Sequence, residues 1–115
     1  MTSLAGVREE WHGPVPVAHV EGEVDIANVE DVAAGLRGLM SNRSTALIVD
    51  LSTTSYLDSA GINLLYAIGE ELRSRQQTLR LVLPERAPVA RVVTITSLDK
   101  AFATYRRLDE ALAAS

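Results

Sequence analysis

Three features of the sequence predict a small α/β fold. The run ALIVDL, residues 46–51, is almost wholly apolar, β-branched at its middle and too short for a helix, as expected of a strand buried on both faces. On either side of it, apolar residues recur at helical spacing. The order strand, helix, strand from residue 46 to residue 83 then implies a parallel crossover, right-handed by chain chirality. With 115 residues the chain is read as one domain, residues 1–115, burying roughly 65% of its unfolded surface.

Taken in order, LAGVREEW (residues 4–11) and VPVAHVEGEV (residues 15–24) read as two strands of a hairpin, separated by the turn residues His12, Gly13 and Pro14. Trp11 is either a half-buried packing residue, the expectation adopted, or an exposed binding aromatic. Pro16 implies an edge position or a bulge. Val29, Val32, Ala33, Leu36, Leu39 and Met40 form a helical stripe entered through Asp25 or Asn28 and left near Ser41 and Asn42. After the 46–51 strand, Gly61, Leu64, Leu65, Ile68 and Leu72 mark one face of a second helix, which must lie on the sheet. Leu79, Leu81 and Leu83 alternate with Arg80 and Val82 in a further strand that Pro84 stops. Residues 88–97, PVARVVTITS, leave helix and strand open, because Pro88 suits a first helical turn while the β-branched content leans to strand.

Composition narrows the function. A net charge of −4 with scattered basic residues argues against direct nucleic-acid binding, which needs clustered Lys and Arg. No apolar run approaches the ~18 residues needed to span a bilayer, and no signal segment is evident, so a cytoplasmic protein without membrane contact is expected. Cysteine is absent, and His12 and His19 form no familiar ligand spacing; no metal or cofactor is expected, and both histidines are read as satisfied or solvated.

Chemistry concentrates in residues 52–59, STTSYLDS, read as a short polar turn joining the central strand to the second helix. Sites in open α/β sheets gather outside the carboxyl ends of strands. Asp58 or Ser59 is the expected N-cap, and Ser59 is also a candidate for modification at an exposed helix start. Gly61, costing a helix about 1 kcal/mol relative to Ala, suggests that another protein's backbone approaches there. Ile62, Tyr66 and Gly69 lie beside the core stripe, either as a docking surface or as a widening of the buried face; Asn63 and Glu70 should be solvated. Asp50, Ser52, Thr53 and Ser55 are expected to bond nearby loop amides. A hydrolase elbow does not fit: LDSAG lacks the first glycine of G-x-S-x-G, no histidine follows Ser59, and no catalytic residue can be nominated.

DLSTTSYLDSAG, with Gly22-Glu23-Val24-Asp25 upstream, resembles the STAS domains, and among them the bacterial anti-sigma factor antagonists. The resemblance covers nearly the whole chain. It implies a small mixed sheet with an N-terminal hairpin and helices packed mainly on one face, a short helix within 88–97, a strand around 102–105 and a last helix over 108–114. It also implies a non-enzymatic regulator whose unmodified form binds an anti-sigma factor and frees a sigma factor. Ser59 aligns with the residue that the partner's serine kinase activity phosphorylates, releasing the antagonist until a PP2C-type phosphatase restores it. The implied partner surface is Asp25, Ser55, Asp58, Ser59, Ala60, Gly61, Ile62, Asn63 and Tyr66. Two positions depart from the pattern: Ala60 replaces Ser or Thr, and Asn63 replaces Gly. An adaptor of a transporter or a stress-sensing complex, with Ser59 only a cap, is the alternative.

Overall fold

The computed structural model describes residues 5–114. Leu4, expected at the start of the first strand, lies outside the described residues. β1 (Ala5–His12) and β2 (Val15–Val24) run antiparallel, from Ala5 opposite Gly22 to His12 opposite Val15. Gly13 at φ +60 followed by Pro14, whose ring fixes a negative φ, matches the backbone signs of a two-residue type II′ turn. Pro16 lies where β2 pairs with β1 alone, because the next strand joins only from Val17 onward. Its missing N–H therefore costs no ladder bond. The irregularity in β2 falls at Gly22, whose φ of +90 accompanies a shift of register.

The remaining strands are β3 (Ala46–Asp50), β4 (Thr54–Leu57), β5 (Thr78–Val82) and β6 (Ala103–Tyr105). The sheet order is β1-β2-β3-β5-β6, with β4 beside the second half of β2, and every pairing except β1 with β2 is parallel. The crossover from β3 to β5 is thus parallel, as expected. β4 corrects the reading of residues 52–59 as a plain turn. Thr54 and Leu57 point inward, and the Thr54 hydroxyl donates to the Val20 carbonyl at 2.6 Å, so four residues suffice for a strand despite one aliphatic side chain.

Among the described residues, five helices complete the fold: α1 (Val29–Leu39), α2 (Ser59–Arg73), α3 (Ala90–Ile95), α4 (Leu98–Ala101) and α5 (Leu108–Ala113). Residues 90–95 take the helical alternative. α4 was not foreseen; Ser97, at φ +62, separates it from α3. Alternation along the strands sends Ala18, Val20, Leu47, Val49, Leu79 and Leu81 into a large core with α1 to α4. Their neighbours Val17, Ile48 and Val82 meet Ala111 of α5 on the opposite face. Helices therefore lie mainly on one face. Trp11 departs from expectation: it is 46% exposed.

On the α5 face, β1, β2 and β3 are joined by side chains. His19, buried, contacts Asp50 Oδ2 through Nδ1 at 2.7 Å and Glu10 Oε1 through Nε2 at 2.6 Å. Asp50 also accepts from the Ser52 amide at 2.9 Å, the loop bond expected of it. His19 is thus satisfied and His12, exposed, reaches Glu10 at 2.5 Å.

α2 ends with the Gln77 amide reaching the Leu72 carbonyl at 2.8 Å and the Gln76 amide reaching Arg73 at 3.0 Å, the paired bonds of a Schellman motif. The left-handed position, φ +57, is held by Gln76 instead of glycine. Gln76→Gly should therefore stabilise the fold by about 1 kcal/mol, measured by urea unfolding. The Glu10 cluster makes the fold sensitive to acid. The hydrogen bond from His19, then that from His12, holds the Glu10 carboxyl below the ordinary 4.5. A carboxyl with a lowered folded-state pKa adds stability that is complete above its unfolded value and lost as pH falls through the folded one. Unfolding profiles should decline below pH 4.5, and Glu10→Gln should flatten that decline.

Candidate functional site

The site forms where β4 passes into α2 beside the loop that leaves β2. Val24 pairs with Leu57, and the Asp58 amide donates to the Val24 carbonyl at 3.2 Å, so the two strands end together. Asp58, extended at φ −90 and ψ −173, is the N-cap of α2. Its Oδ1 accepts from the amides of Ala60 at 2.9 Å and Gly61 at 3.1 Å, pairing two of the donors that a helix start leaves open. Its Oδ2 accepts from the Ile26 amide at 3.1 Å. One carboxylate thus caps α2 and holds the neighbouring loop.

That loop is built by its own polar side chains. Asp25 Oδ1 accepts from the Ala27 amide at 2.9 Å, and the Asp25 carbonyl accepts from the amides of Asn28 and Val29. Asn28, buried, accepts from the Asp25 amide at 3.0 Å and donates to the Glu23 carbonyl at 2.8 Å. Both residues expected to open α1 take part: Asn28 stands at the N-cap, and Asp25 shapes the turn before it.

Ser59 follows the cap as the first residue of α2, exposed to solvent. Because Asp58 supplies the capping oxygen, the Ser59 hydroxyl has no structural bond to make and makes none among the described residues. Asp25, Asp58, Ser59 and the half-buried Ala60 share this end of the sheet, with exposed Ser55 on β4 and exposed Asn63 one turn along α2. Residues 23–28 and 52–63 contain no Lys or Arg. The helix N-terminus is the local source of positive potential, and the Asp25 and Asp58 carboxylates oppose it.

Three residues expected on the partner surface face inward. A Cβ on Gly61 would lie 3.0 Å from Leu57 Cδ2 and 3.2 Å from Val24 Cγ1, so its bareness serves the approach of α2 to β2 and β4, not that of another chain. Ile62 is 7% exposed and belongs to the main core. Tyr66 packs on Phe102 with ring centres 5.6 Å apart and donates its hydroxyl to the Thr96 carbonyl at 2.9 Å. Beside them, a Cβ on Gly69 would come within 2.1 Å of the Phe102 ring. The stripe of Ile62, Tyr66 and Gly69 therefore widens the buried face, with Thr96 and Phe102, which follow α3 and α4, packed on Tyr66 and Gly69.

Two exposed apolar residues at the rim escaped the sequence reading: Ile26 is 80% exposed and Tyr56 50%. An isoleucine flanked by Asp25 and Ala27 inside a turn was the available signal. Among the described residues, no group of three or more His, Asp or Glu side chains is placed to hold a metal ion, and no helix is long and apolar enough to cross a membrane.

Known proteins share both pattern and architecture. The family model of the STAS domain matches residues 9–111. The anti-sigma-F factor antagonist RsfB of Mycobacterium tuberculosis is 28% identical over 102 residues, covering 88% of this chain and 81% of that protein. The crystal structure of an anti-sigma factor antagonist from Mycobacterium paratuberculosis superposes with a TM-score of 0.82 at 30% identity, over 94% of this chain and 91% of that one. The unphosphorylated form of the anti-sigma factor antagonist SpoIIAA shares the fold, with a TM-score of 0.74 at 22% identity over 93% of each chain. The match over nearly the full length, joined to the mixed sheet and the Asp58-capped helix, places this chain in the STAS domain family.

Proposed function

We propose that this chain is an anti-sigma factor antagonist switched at Ser59. Its unmodified form binds an anti-sigma factor with serine kinase activity and so frees a sigma factor; phosphate on Ser59 releases it, and a PP2C-type phosphatase resets it. The observation that carries this reading is the division of labour at the helix start: Asp58 caps, and Ser59 stands exposed with its hydroxyl unengaged. The names of the similar mycobacterial proteins support the antagonist class.

The electrostatics suit a binding switch better than a folding switch. Phosphate would add about −1.5 to −2 charge at neutral pH. The α2 N-terminus favours that charge, whereas Asp25 and Asp58 disfavour it, and these opposed terms leave the fold intact. A partner covering this end would have to desolvate a dianion for which residues 23–28 and 52–63 supply no Lys or Arg, so affinity falls steeply. The partner surface consists of Asp25, Ser55, Asp58, Ser59, Ala60 and Asn63, with Ile26 and Tyr56 at its rim.

A pull-down from native lysate with wild type, Ser59→Ala and Ser59→Glu, with mass mapping of phosphate on the recovered wild type, tests the switch. Wild type and Ser59→Ala should capture a kinase-like protein that Ser59→Glu does not, with phosphate on Ser59. Capture of one partner by all three, with Ser59 unmodified while the kinase is active, would move the chain to the adaptor reading. Asp58→Ala should lower stability by about 1–2 kcal/mol in urea unfolding, whereas Asp58→Asn, which keeps an acceptor for the Ala60 and Gly61 amides, should lose only part of that.

A further inference from the structure

The exposed edge of β1 carries an inference that is independent of the Ser59 switch. Among the described residues β1 pairs with β2 alone, and from Val7 to Trp11 no other strand lies along its outer side. In a two-residue hairpin the pair flanking the loop, here His12 and Val15, exchanges its backbone bonds inward, and the direction alternates along the strand. The backbone groups of Val7, Glu9 and Trp11 therefore point out of the edge. Such an edge is a template for another strand unless it is blunted.

We propose that two copies of this chain pair antiparallel through β1, centred on Glu9, with Trp11 of each copy seated over a groove of the other. Same-face alternation permits only registers in which residues of like parity oppose one another. Centring on Glu9 places Val7 opposite Trp11 of the second copy, and Arg8 opposite Glu10 of the second copy, each pair occurring twice. Arg8 and Glu10 then occupy the non-hydrogen-bonded positions, where side chains come closest, and their charges are complementary. Centring on Arg8 would instead oppose two guanidinium groups. The two Glu9 side chains repel at the centre, which keeps the association weak and reversible.

The groove selects the occupant. It runs between β1 and α1, holds about 220 Å³ and is lined by Val7, Glu9, Ala34, Gly35, Gly38 and Leu39. Val7, Glu9 and Trp11 share the helix-bearing face of the sheet with it. A Cβ on Gly35 would meet Val7 at 3.0 Å, so Gly35 is needed inside one copy, but a Cβ on Gly38 would meet nothing within 4 Å. The packing of a single copy does not account for Gly38, nor for a tryptophan left 46% exposed. The chosen register brings the second copy's Trp11 beside Val7, at the mouth of this space.

Sedimentation equilibrium of the full chain up to millimolar concentration, with a cross-linking series, tests the proposal. Wild type should dimerise, with Trp11→Ala and Gly38→Leu each weakening the association by about tenfold or more and Glu9→Gln strengthening it. An unchanged melting temperature for Gly38→Leu shows that the fold is intact. Since the sequence has no cysteine, Glu9→Cys gives a clean readout: opposed positions about 5.5 Å apart suit a disulfide, so it should cross-link rapidly under mild oxidation. Glu21→Cys, on β2, serves as the control. A chain that stays monomeric at millimolar concentration overturns the proposal. So does a dimer in which Glu9→Cys cross-links no faster than Glu21→Cys, or one that Trp11→Ala leaves unchanged.

Discussion

The fold depends on one strand serving three partners. β2 is bonded to β1 from Val15 to Gly22 on one side, while on the other its first half takes β3 and its second half takes β4. A flat strand cannot hand over from one parallel neighbour to the next, because β3 and β4 are consecutive in sequence and the chain must step sideways between them. Gly22 makes the step possible: at φ +90 it allows the local irregularity, and its amide donates to the Thr53 carbonyl at 3.2 Å across the handover. A residue with a Cβ would be strained there. Because β2 and β4 then end side by side, the turn after Val24 and the start of α2 meet.

At that meeting point a single carboxylate decides what Ser59 can do. In many helices a serine near the start is occupied by capping, and its hydroxyl is then part of the backbone hydrogen-bond account. Here Asp58 takes that work with one oxygen and holds the Ile26 amide with the other. The structural demand for a cap and the availability of a hydroxyl are thereby met by different residues. Gly61 completes the arrangement by letting α2 sit close to Val24 and Leu57, which fixes the direction in which Ser59 faces solvent.

The two faces of the sheet are stabilised by different means. One is covered by α1 to α4 with aliphatic packing, and includes the tight seat of Phe102 on Gly69. Among the described residues the other has α5 alone, packed over Val17, Ile48 and Val82, and beyond that cover the sheet is tied by the Glu10, His19 and Asp50 side chains. Buried polar groups of this kind are tolerable because each finds a partner. β1, last in the sheet order, carries Arg8, Glu10 and His12 on the α5 side and Val7, Glu9 and Trp11 on the other.

How much of this was legible in the sequence follows from the range of each interaction. Periodicity reports burial of a single face, so the stripes of α1 and α2, the run of β3 and the alternation of β5 could be read directly. Asp58 as a capping candidate and the turn at Gly13 and Pro14 are local as well. β4 was missed because Thr54 and Leu57 gain their burial largely against β2, more than thirty residues earlier in the chain, and α4 because four residues are too few for a period. The helical stripe already put Gly61 on the sheet side, whereas the inward turn of Ile62 and Tyr66 depended on distant contacts such as those of Tyr66 with Phe102 and Thr96, which no helical wheel contains. His19 could be assigned no partners, since Glu10 and Asp50 come to it from separate strands. Periodicity and local chemistry were enough to find the elements with a repeating buried face, the serine at a helix start and Asp58 as one of its two possible caps. The face of α2 that stays free and the loop that Asp58 holds follow from contacts between segments whose separation along the chain bears no relation to their distance in the fold.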